Sequence, residues 1–178
     1  MKQLKILKTR LFIKNKSLKI KNIHKRIINQ PLEKVAAALA TISTENDIVW
    51  PTKNWPAMKF KNGIQVGAKG GHGPIRYSVE KYNPSEIIQF RFSKPVGFNG
   101  IHKFDLVEIA PQKTQINHTI DITTSLGATF SWFFAIRSLH NALIEDGFDK
   151  LENNFSNQKK KTEWNFWVKF LRKIIAKL

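Results

Sequence analysis

Cysteine is absent from this 178-residue sequence, and long apolar runs are absent as well. Without cysteine, neither a disulfide bridge nor a thiolate metal site can form. The longest apolar stretch, LGATFSWFFAI at residues 126–136, is too short to span a bilayer. Residues 1–16 carry lysines throughout and lack the apolar core of a signal peptide. We therefore expect a cytoplasmic protein, for which any contact with a membrane is peripheral.

Acidic residues are scarce: 13 Asp and Glu stand against 30 Lys and Arg, for a net charge of +17. The excess lies at the two ends, because residues 1–26 hold ten basic residues and no acid, and residues 159–178 hold seven and one. Between them, residues 27–158 are nearly neutral, with 13 basic and 12 acidic residues. The sequence therefore predicts a basic arm at residues 1–17, a domain at residues 18–155 and a basic helix at residues 156–178. Such arms favour a polyanionic partner, either an anionic membrane or a nucleic acid.

Arginine is scarce too, with 6 against 24 lysines, which favours a membrane over a nucleic acid because base recognition relies on bidentate arginine. In the C-terminal EWNFWVKFLRKIIAKL, apolar residues recur at three- and four-residue steps beside a lysine-rich polar side, as in an interfacial helix. The expected membrane contacts are Trp164, Trp167, Lys169, Leu171, Arg172 and Lys173. One alternative stays open: this apolar face docks on the protein's own core or on a second copy.

A glycine cluster, Gly67, Gly70, Gly71 and Gly73, resembles a phosphate loop only in composition. A phosphate loop needs a helix after it, because free helical N–H groups hold the anion. Here the alternating apolar residues of IRYSVEKY follow, which is the period of a strand. The cluster is therefore interpreted as a turn that leads into a strand, and no nucleotide site is expected.

The hydrophobic period predicts an α+β fold. A strand at residues 18–28 and a helix from Pro31 to Leu39 come first, followed by a loop with a short helical turn at residues 45–49. Strands are then predicted at residues 58–60, 65–68, 75–82, 87–93, 100–109 and 114–123, and a long helix at residues 125–154. In the last hairpin, a three-residue loop would set Phe104 opposite Ile120 and Leu106 opposite His118. The order indicates a curved antiparallel sheet wrapped around a long C-terminal helix, with a hydrophobic cavity between them.

This order resembles the SRPBCC superfamily, whose START-like, helix-grip fold includes the birch pollen allergen, START lipid-transfer domains and aromatic polyketide cyclases. The resemblance covers residues 18–155 and rests on IHKRIINQPLEKVAAAL, NDIVWPTKNWPAMKF, VGAKGGHGPIRYSVEKYNP, GFNGIHKFDL and RSLHNALIEDGFDKLE. The middle segments are similar to an uncharacterised bacterial branch described as polyketide cyclase/dehydrase-like. Both basic arms depart from the family pattern. The resemblance implies a cavity for a hydrophobic ligand but no particular activity, because the fold hosts transporters, receptors and enzymes.

Aromatic residues and histidines supply the candidate cavity lining. The predicted ligand-binding residues are Trp50, Trp55, Met58, Tyr77, Phe90, Phe92, Phe98, His102, Phe104, His118, Ile120, Trp132, Ile136 and His140. Histidines at metal-ligand spacing are lacking, so no metal and no cofactor is expected. Glu145 and Asp146 are adjacent on the long helix and point about 100° apart, so they do not form a carboxylate pair, and we expect a solvated face there.

Three functional hypotheses follow. The leading one is a non-enzymatic module that binds a hydrophobic or amphipathic small molecule, a lipid among the candidates, next to an anionic membrane. The second is a cyclase- or dehydratase-like enzyme that uses a cavity histidine, His118 or His102, as its acid–base group. The third is a basic protein associated with nucleic acid, in which the cavity has collapsed.

Overall fold

A computed structural model describes residues 17–176. The predicted basic arm at residues 1–17 lies, apart from Ser17, outside the described residues. Seven strands form one antiparallel sheet in the order β1-β7-β6-β5-β4-β3-β2. They are β1 (Leu18–Ile28), β2 (Lys59–Phe60), β3 (Lys69–His72), β4 (Ile75–Asn83), β5 (Ile87–Lys94), β6 (Phe98–Ala110) and β7 (Lys113–Thr124). This is the predicted α+β class with the predicted antiparallel meander, to which the pairing of β1 with β7 is added.

In the described part of the chain, four helices accompany the sheet: α1 (Leu32–Leu39), α2 (Leu126–Ser131), α3 (Arg137–Phe155) and α4 (Phe166–Ile175). Between α2 and α3, residues Trp132–Ile136 form one π-helical turn, called the π turn below. The predicted long helix is therefore continuous but contains this irregularity. Within residues 17–176, no helix combines the length and the apolar composition that crossing a bilayer requires.

The core lies between the concave face of the sheet and the helices α1 and α3. Alternating residues of β4 to β7 point inward, as their period of two requires, and pack against Leu143, Ile144, Phe148 and Leu151 of α3. A second, smaller cluster lies below α2 and the π turn and contains Ile20, Phe98, Ile120, Ile122, Ala128 and Trp132. The sheet thus packs on α3 because the strands alternate apolar residues on one face and α3 carries an apolar stripe.

Three sequence predictions were wrong in detail. Residues 65–68 form turns, and the neighbouring strand is Lys69–His72, so half of the glycine cluster lies in a strand and only Gly73 lies in the tight turn before Ile75. Residues 45–49 form turns rather than a helix. In the last hairpin Phe104 faces His118 and Leu106 faces Ile116, two residues from the predicted register.

The register error has two local causes. A bulge lies between Glu108 and Ala110, and the hairpin closes through Pro111 and Gln112 alone, since Ala110 pairs with Lys113. A shift of two residues keeps every side chain on its face of the sheet, so the inward residues of both strands were predicted correctly.

Candidate ligand site

Three histidines meet in the interior between the sheet and α3. His102 and His118 point inward from β6 and β7, and His140 approaches them from α3. The ring centroids of His102 and His118 are 5.7 Å apart, and those of His118 and His140 are 4.9 Å apart. We call these three residues the histidine cluster. Sequence reasoning placed all three inward, and the structure brings them together.

Aromatic rings surround the cluster on the sheet side. His102 stacks on Phe90 at 4.7 Å and lies 4.7 Å from Tyr77 and 4.8 Å from Phe92, measured between ring centroids. Phe104 lies 4.6 Å from His118. This apolar shell removes water from the imidazoles, and burial is the largest influence on their protonation.

The histidine cluster is uncharged at neutral pH. Burial, with the charges of His24 and His72 as smaller causes, lowers the pKa of His140 to about 3. Burial also holds the pKa of His102 and of His118 well below 6.5, with the neighbouring imidazoles as the second cause. A neutral imidazole has one N–H donor and one nitrogen acceptor, so the cluster presents both kinds of hydrogen-bonding group to the interior.

One nitrogen of each ring has no hydrogen-bond partner among residues 17–176. These atoms are Nε2 of His102, Nδ1 of His118 and Nδ1 of His140, and all three are buried. An unpaired buried polar group costs on the order of 1–3 kcal/mol, and native interiors contain few of them. By contrast, the half-buried His72 bonds the hydroxyl of Tyr77 over 3.1 Å through Nδ1.

A polar network connects the cluster to the protein surface. His24 of β1 lies 5.8 Å from His140, and its Nδ1 and Nε2 lie 2.7 Å from a Glu145 oxygen and 3.0 Å from the Asn141 oxygen. The Arg26 guanidinium then binds Glu145, Asp149 and Glu152 at 2.8, 2.9 and 2.7 Å. Sequence analysis missed this network, because its members are about 120 residues apart and only the pairing of β1 with β7 brings them together.

The expectation of a solvated face at Glu145 and Asp146 was wrong. Glu145 belongs to the network just described, and Asp146 accepts hydrogen bonds from the indole N–H groups of Trp55 at 2.7 Å and Trp164 at 3.0 Å. Both carboxylates therefore face protein. The prediction that these two residues do not form a carboxylate pair is confirmed, because each carboxylate has different partners.

Apart from the histidines, the predicted ligand-binding residues separate into two groups. Six of them belong to the main core: Trp50, Trp55, Met58, Tyr77, Phe90 and Phe104. Five belong to or pack against the smaller cluster below the π turn: Phe92, Phe98, Ile120, Trp132 and Ile136. Trp55 is turned towards Trp164, with ring centroids 5.5 Å apart, and so contacts the C-terminal segment.

The interior is filled by these side chains. A void of about 10 Å³, the room for one water, lies beside Trp50, Phe104 and Phe148. A larger groove of about 770 Å³, the outer groove, lies at the β3–β4 hairpin and is lined by Lys59, Lys69, Arg76, Lys94 and the glycine backbone. Within residues 17–176, no three His, Asp or Glu side chains are placed to hold a metal ion.

Among the predicted membrane contacts, three are turned towards the protein. Trp164 packs on Trp55, and the Arg172 guanidinium lies over both rings at 5.2 and 4.6 Å. Leu171 is half-buried. The other three, Trp167, Lys169 and Lys173, are exposed.

No protein-family model and no curated protein matches this chain. Solved structures do match. Norcoclaurine synthase from Thalictrum flavum is 7% identical with a TM-score of 0.63, covering 89% of this chain and 99% of the synthase. A protein from Nitrosospira multiformis is 16% identical with a TM-score of 0.60, covering 78% and 97%. CalU16 from Micromonospora echinospora is 11% identical with a TM-score of 0.55, covering 92% and 97%. At these identities the likeness establishes the fold alone, and the chain has the helix-grip architecture that its sequence predicted.

Proposed function

We propose that this protein binds a hydrophobic small molecule that carries a polar group, with the apolar part among the side chains below the π turn and the polar group on the histidine cluster. The observation that carries this proposal is the set of three buried imidazoles, each with an unpartnered nitrogen. A ligand oxygen or nitrogen would satisfy these atoms and recover the cost of leaving them unpaired. Because the imidazoles are neutral, an uncharged polar group, such as a hydroxyl or a carbonyl, fits them better than a carboxylate.

Access for such a ligand runs beneath α2 and the π turn. This segment sends only Ala128 and Trp132 into the interior as fully buried residues, while Phe130, Phe133 and Phe134 are exposed. The Trp132 ring lies 6.2 Å from His140, so its displacement would open a path to the cluster. The main core, in contrast, is anchored by many buried side chains of α1 and α3 and stays closed.

Native mass spectrometry of the purified full-length protein, with organic extraction of anything released, tests the proposal. We expect a mass excess that extracts as an uncharged lipid or aromatic compound. The His118→Leu and His102→Phe variants, which remove the unpartnered nitrogens but keep an apolar core, should lose most of it. His72→Gln is the matched control, because the His72 nitrogen is already bonded to Tyr77.

A bare wild-type mass, together with no change in melting temperature on addition of a long-chain alcohol or a sterol, contradicts the proposal. Equal retention of ligand in the His118→Leu, His102→Phe and His72→Gln variants contradicts the assignment of the polar group to the cluster.

An acid–base enzyme is the second candidate, favoured by the line of imidazoles from His102 through His118 and His140 to His24, whose side chain is 11% exposed. Norcoclaurine synthase, which has the same fold, is a synthase by name. The low pKa of the cluster argues for binding, because an imidazole with a pKa of about 3 is a weak base. A bell-shaped pH–rate profile that disappears in His118→Ala or His102→Ala would favour the enzyme; activity that survives both changes would exclude it.

A further inference from the structure

Two helices expose an unusual number of large apolar side chains. In α2 and the π turn these are Leu126, Phe130, Phe133 and Phe134, with 47–63% of each side chain's surface exposed. In α4 they are Phe166, Trp167, Phe170, Ile174 and Ile175, with 40–80% exposed. Single exposed apolar residues are ordinary on protein surfaces, but clusters of this kind mark contact sites.

The two sets form one surface, called the aromatic face below. The indole N–H of Trp167 donates to the backbone oxygen of Phe134 over 2.8 Å and joins α4 to the π turn. On one side of this link Phe130 stacks on Phe134 at 4.1 Å, and on the other Trp167 stacks on Phe170 at 5.4 Å. The inward contacts of Trp164 and Arg172 hold α4 in this orientation and turn its remaining aromatics outward.

The charge of this region has one sign. Residues 125–144 and 164–176 contain no Asp or Glu, whereas they carry Arg137, Lys169, Arg172 and Lys173. Arg137 lies over the ring of Phe133 at 5.6 Å, and Lys169 and Lys173 are exposed on α4. Aromatic side chains at the level of basic residues match the interface of an anionic bilayer, where rings enter the headgroup region and cations meet lipid phosphates.

The same charges argue against two other occupants. A second copy of the chain would bring its own Arg137, Lys169 and Lys173 against the same cations, since a two-fold interface pairs a surface with itself. Residues 1–16 carry six basic residues and no acid, so they would also meet like charge. An anionic partner with an apolar interior satisfies both the rings and the cations.

We infer that the aromatic face docks this protein on an anionic lipid bilayer, with α4 and the α2–π turn segment lying along its surface. This face includes Trp167, Lys169 and Lys173 from the contacts expected on sequence grounds. It replaces Trp164, Leu171 and Arg172 with Phe130, Phe133, Phe134, Phe166 and Phe170. The inference is independent of ligand binding, because it rests on exposed residues that do not contact the histidine cluster.

Vesicle flotation of the full-length protein tests the inference, with phosphatidylcholine vesicles compared with vesicles in which about one third of the lipid is phosphatidylserine. The wild type should float with the anionic vesicles and stay largely unbound with the neutral ones. Lys169→Gln/Lys173→Gln should weaken binding about thirtyfold, because each cation near an anionic surface adds roughly a factor of five. Phe130→Gln/Phe166→Gln should weaken it by about tenfold or more.

The matched control is Val107→Gln/Ile109→Gln, which removes two apolar side chains of similar exposure, 47% and 51%, from β6. It should float like the wild type. A wild type that stays unbound with anionic vesicles overturns the inference, and so does a Phe130→Gln/Phe166→Gln variant that floats undiminished. A concentration-dependent dimer in sedimentation, lost in that same variant, would assign the face to a second copy instead.

Discussion

At the scale of single residues, the buried histidines make stability depend on pH. Burial lowers the pKa of His72 to about 4 and of His140 to about 3, and it holds the pKa of His102 and His118 well below 6.5. The unfolded chain takes up a proton at each histidine once the pH falls below about 6.5, and the folded protein does not. The folded state therefore loses stability as the pH falls from about 6.5 towards these lower pKa values.

Each of these histidines should contribute a slope of about 1.4 kcal/mol per pH unit to the free energy of unfolding over that window. Urea unfolding at pH values between 7 and 4.5 measures it. His102→Phe, among the rings of Tyr77, Phe90 and Phe92, should reduce the slope by one such increment. The control Phe92→Leu should lower stability equally at every pH. An unchanged slope in His102→Phe would mean that this imidazole is charged in the folded protein.

Asp146 stabilises the contact between Trp55 and Trp164, because its carboxylate accepts hydrogen bonds from both indole N–H groups. Asp146→Ala should cost about 2–3 kcal/mol in urea unfolding, since it leaves two donors without an acceptor. The control Glu163→Gln removes an exposed carboxylate that pairs only with Lys161 and should change stability by less than about 0.5 kcal/mol. Equal effects of the two changes would contradict this account.

At the scale of elements, ion pairs of Arg26 link the edge strand β1 to α3. Its guanidinium binds three carboxylates of α3 and is only 16% exposed. Arg26→Met keeps the apolar stem but leaves those carboxylates facing one another, so we expect a loss of about 3–5 kcal/mol at neutral pH. The loss should shrink in acid as Glu152 is protonated, because against the effect of burial the hydrogen bonds from Lys160 and Arg26 hold the pKa of Glu152 below its usual value.

The matched control for Arg26 is Arg91→Met. Arg91 pairs with Glu80 on the outside of the sheet and is 49% exposed, so its removal should cost less than about 1 kcal/mol. Urea unfolding at neutral pH compares the two. A similar loss in both variants would show that the carboxylates of α3 do not depend on Arg26.

The glycines of β3 allow the close approach of β2. A Cβ atom on Gly70 would lie 2.5 Å from the Phe60 ring and the Lys59 backbone oxygen, so only glycine lets β2 pack this closely. Gly70→Ala should therefore destabilise the protein by about 1–3 kcal/mol in thermal or urea unfolding. Gly127→Ala is the control: no atom lies within 4 Å of the added Cβ in α2, and the helix should gain up to about 1 kcal/mol. The reverse order of stability would contradict the packing argument.

Features of the fold that depend on a local sequence pattern could be predicted, whereas features that depend on distant contacts could not. The bounds of β1 and the inward faces of β4 to β7 follow from alternation, which is a local property of the chain. KGGH has no alternation, so β3 was assigned to the wrong residues. The bulge near Glu108 and the acceptor role of Asp146 depend on contacts distant in sequence, and the Asp146–Trp55 bond joins residues 91 positions apart. The histidine cluster was predictable because each member lies on an inward position of a recognisable element, whereas its missing partners are a feature of three-dimensional packing.

At the scale of the whole molecule, the net charge of +17 would attract any polyanion, so ionic strength separates the candidate partners. Binding to DNA or RNA through lysines, including those of the outer groove, should fall by orders of magnitude between low and physiological salt. Bilayer binding through the aromatic face should fall less, because ring insertion does not depend on salt. Gel shift and flotation across one salt series measure both. Nucleic-acid binding that persists at high salt while flotation is lost would favour the nucleic-acid hypothesis.

The π turn also has a consequence for how the two faces of this helix could evolve. A π turn holds one residue more than an α-helical turn, and each residue of an α-helix advances the direction of its side chain by about 100°. The extra residue therefore sets the phase of Phe130 relative to the grip residues Leu143 and Leu151. Deleting Ala135 would restore a regular helix and turn the side chains of α2 by about 100° relative to those of α3. A single-codon deletion in the π turn is thus enough to reorient the side chains of α2 without changing those of α3.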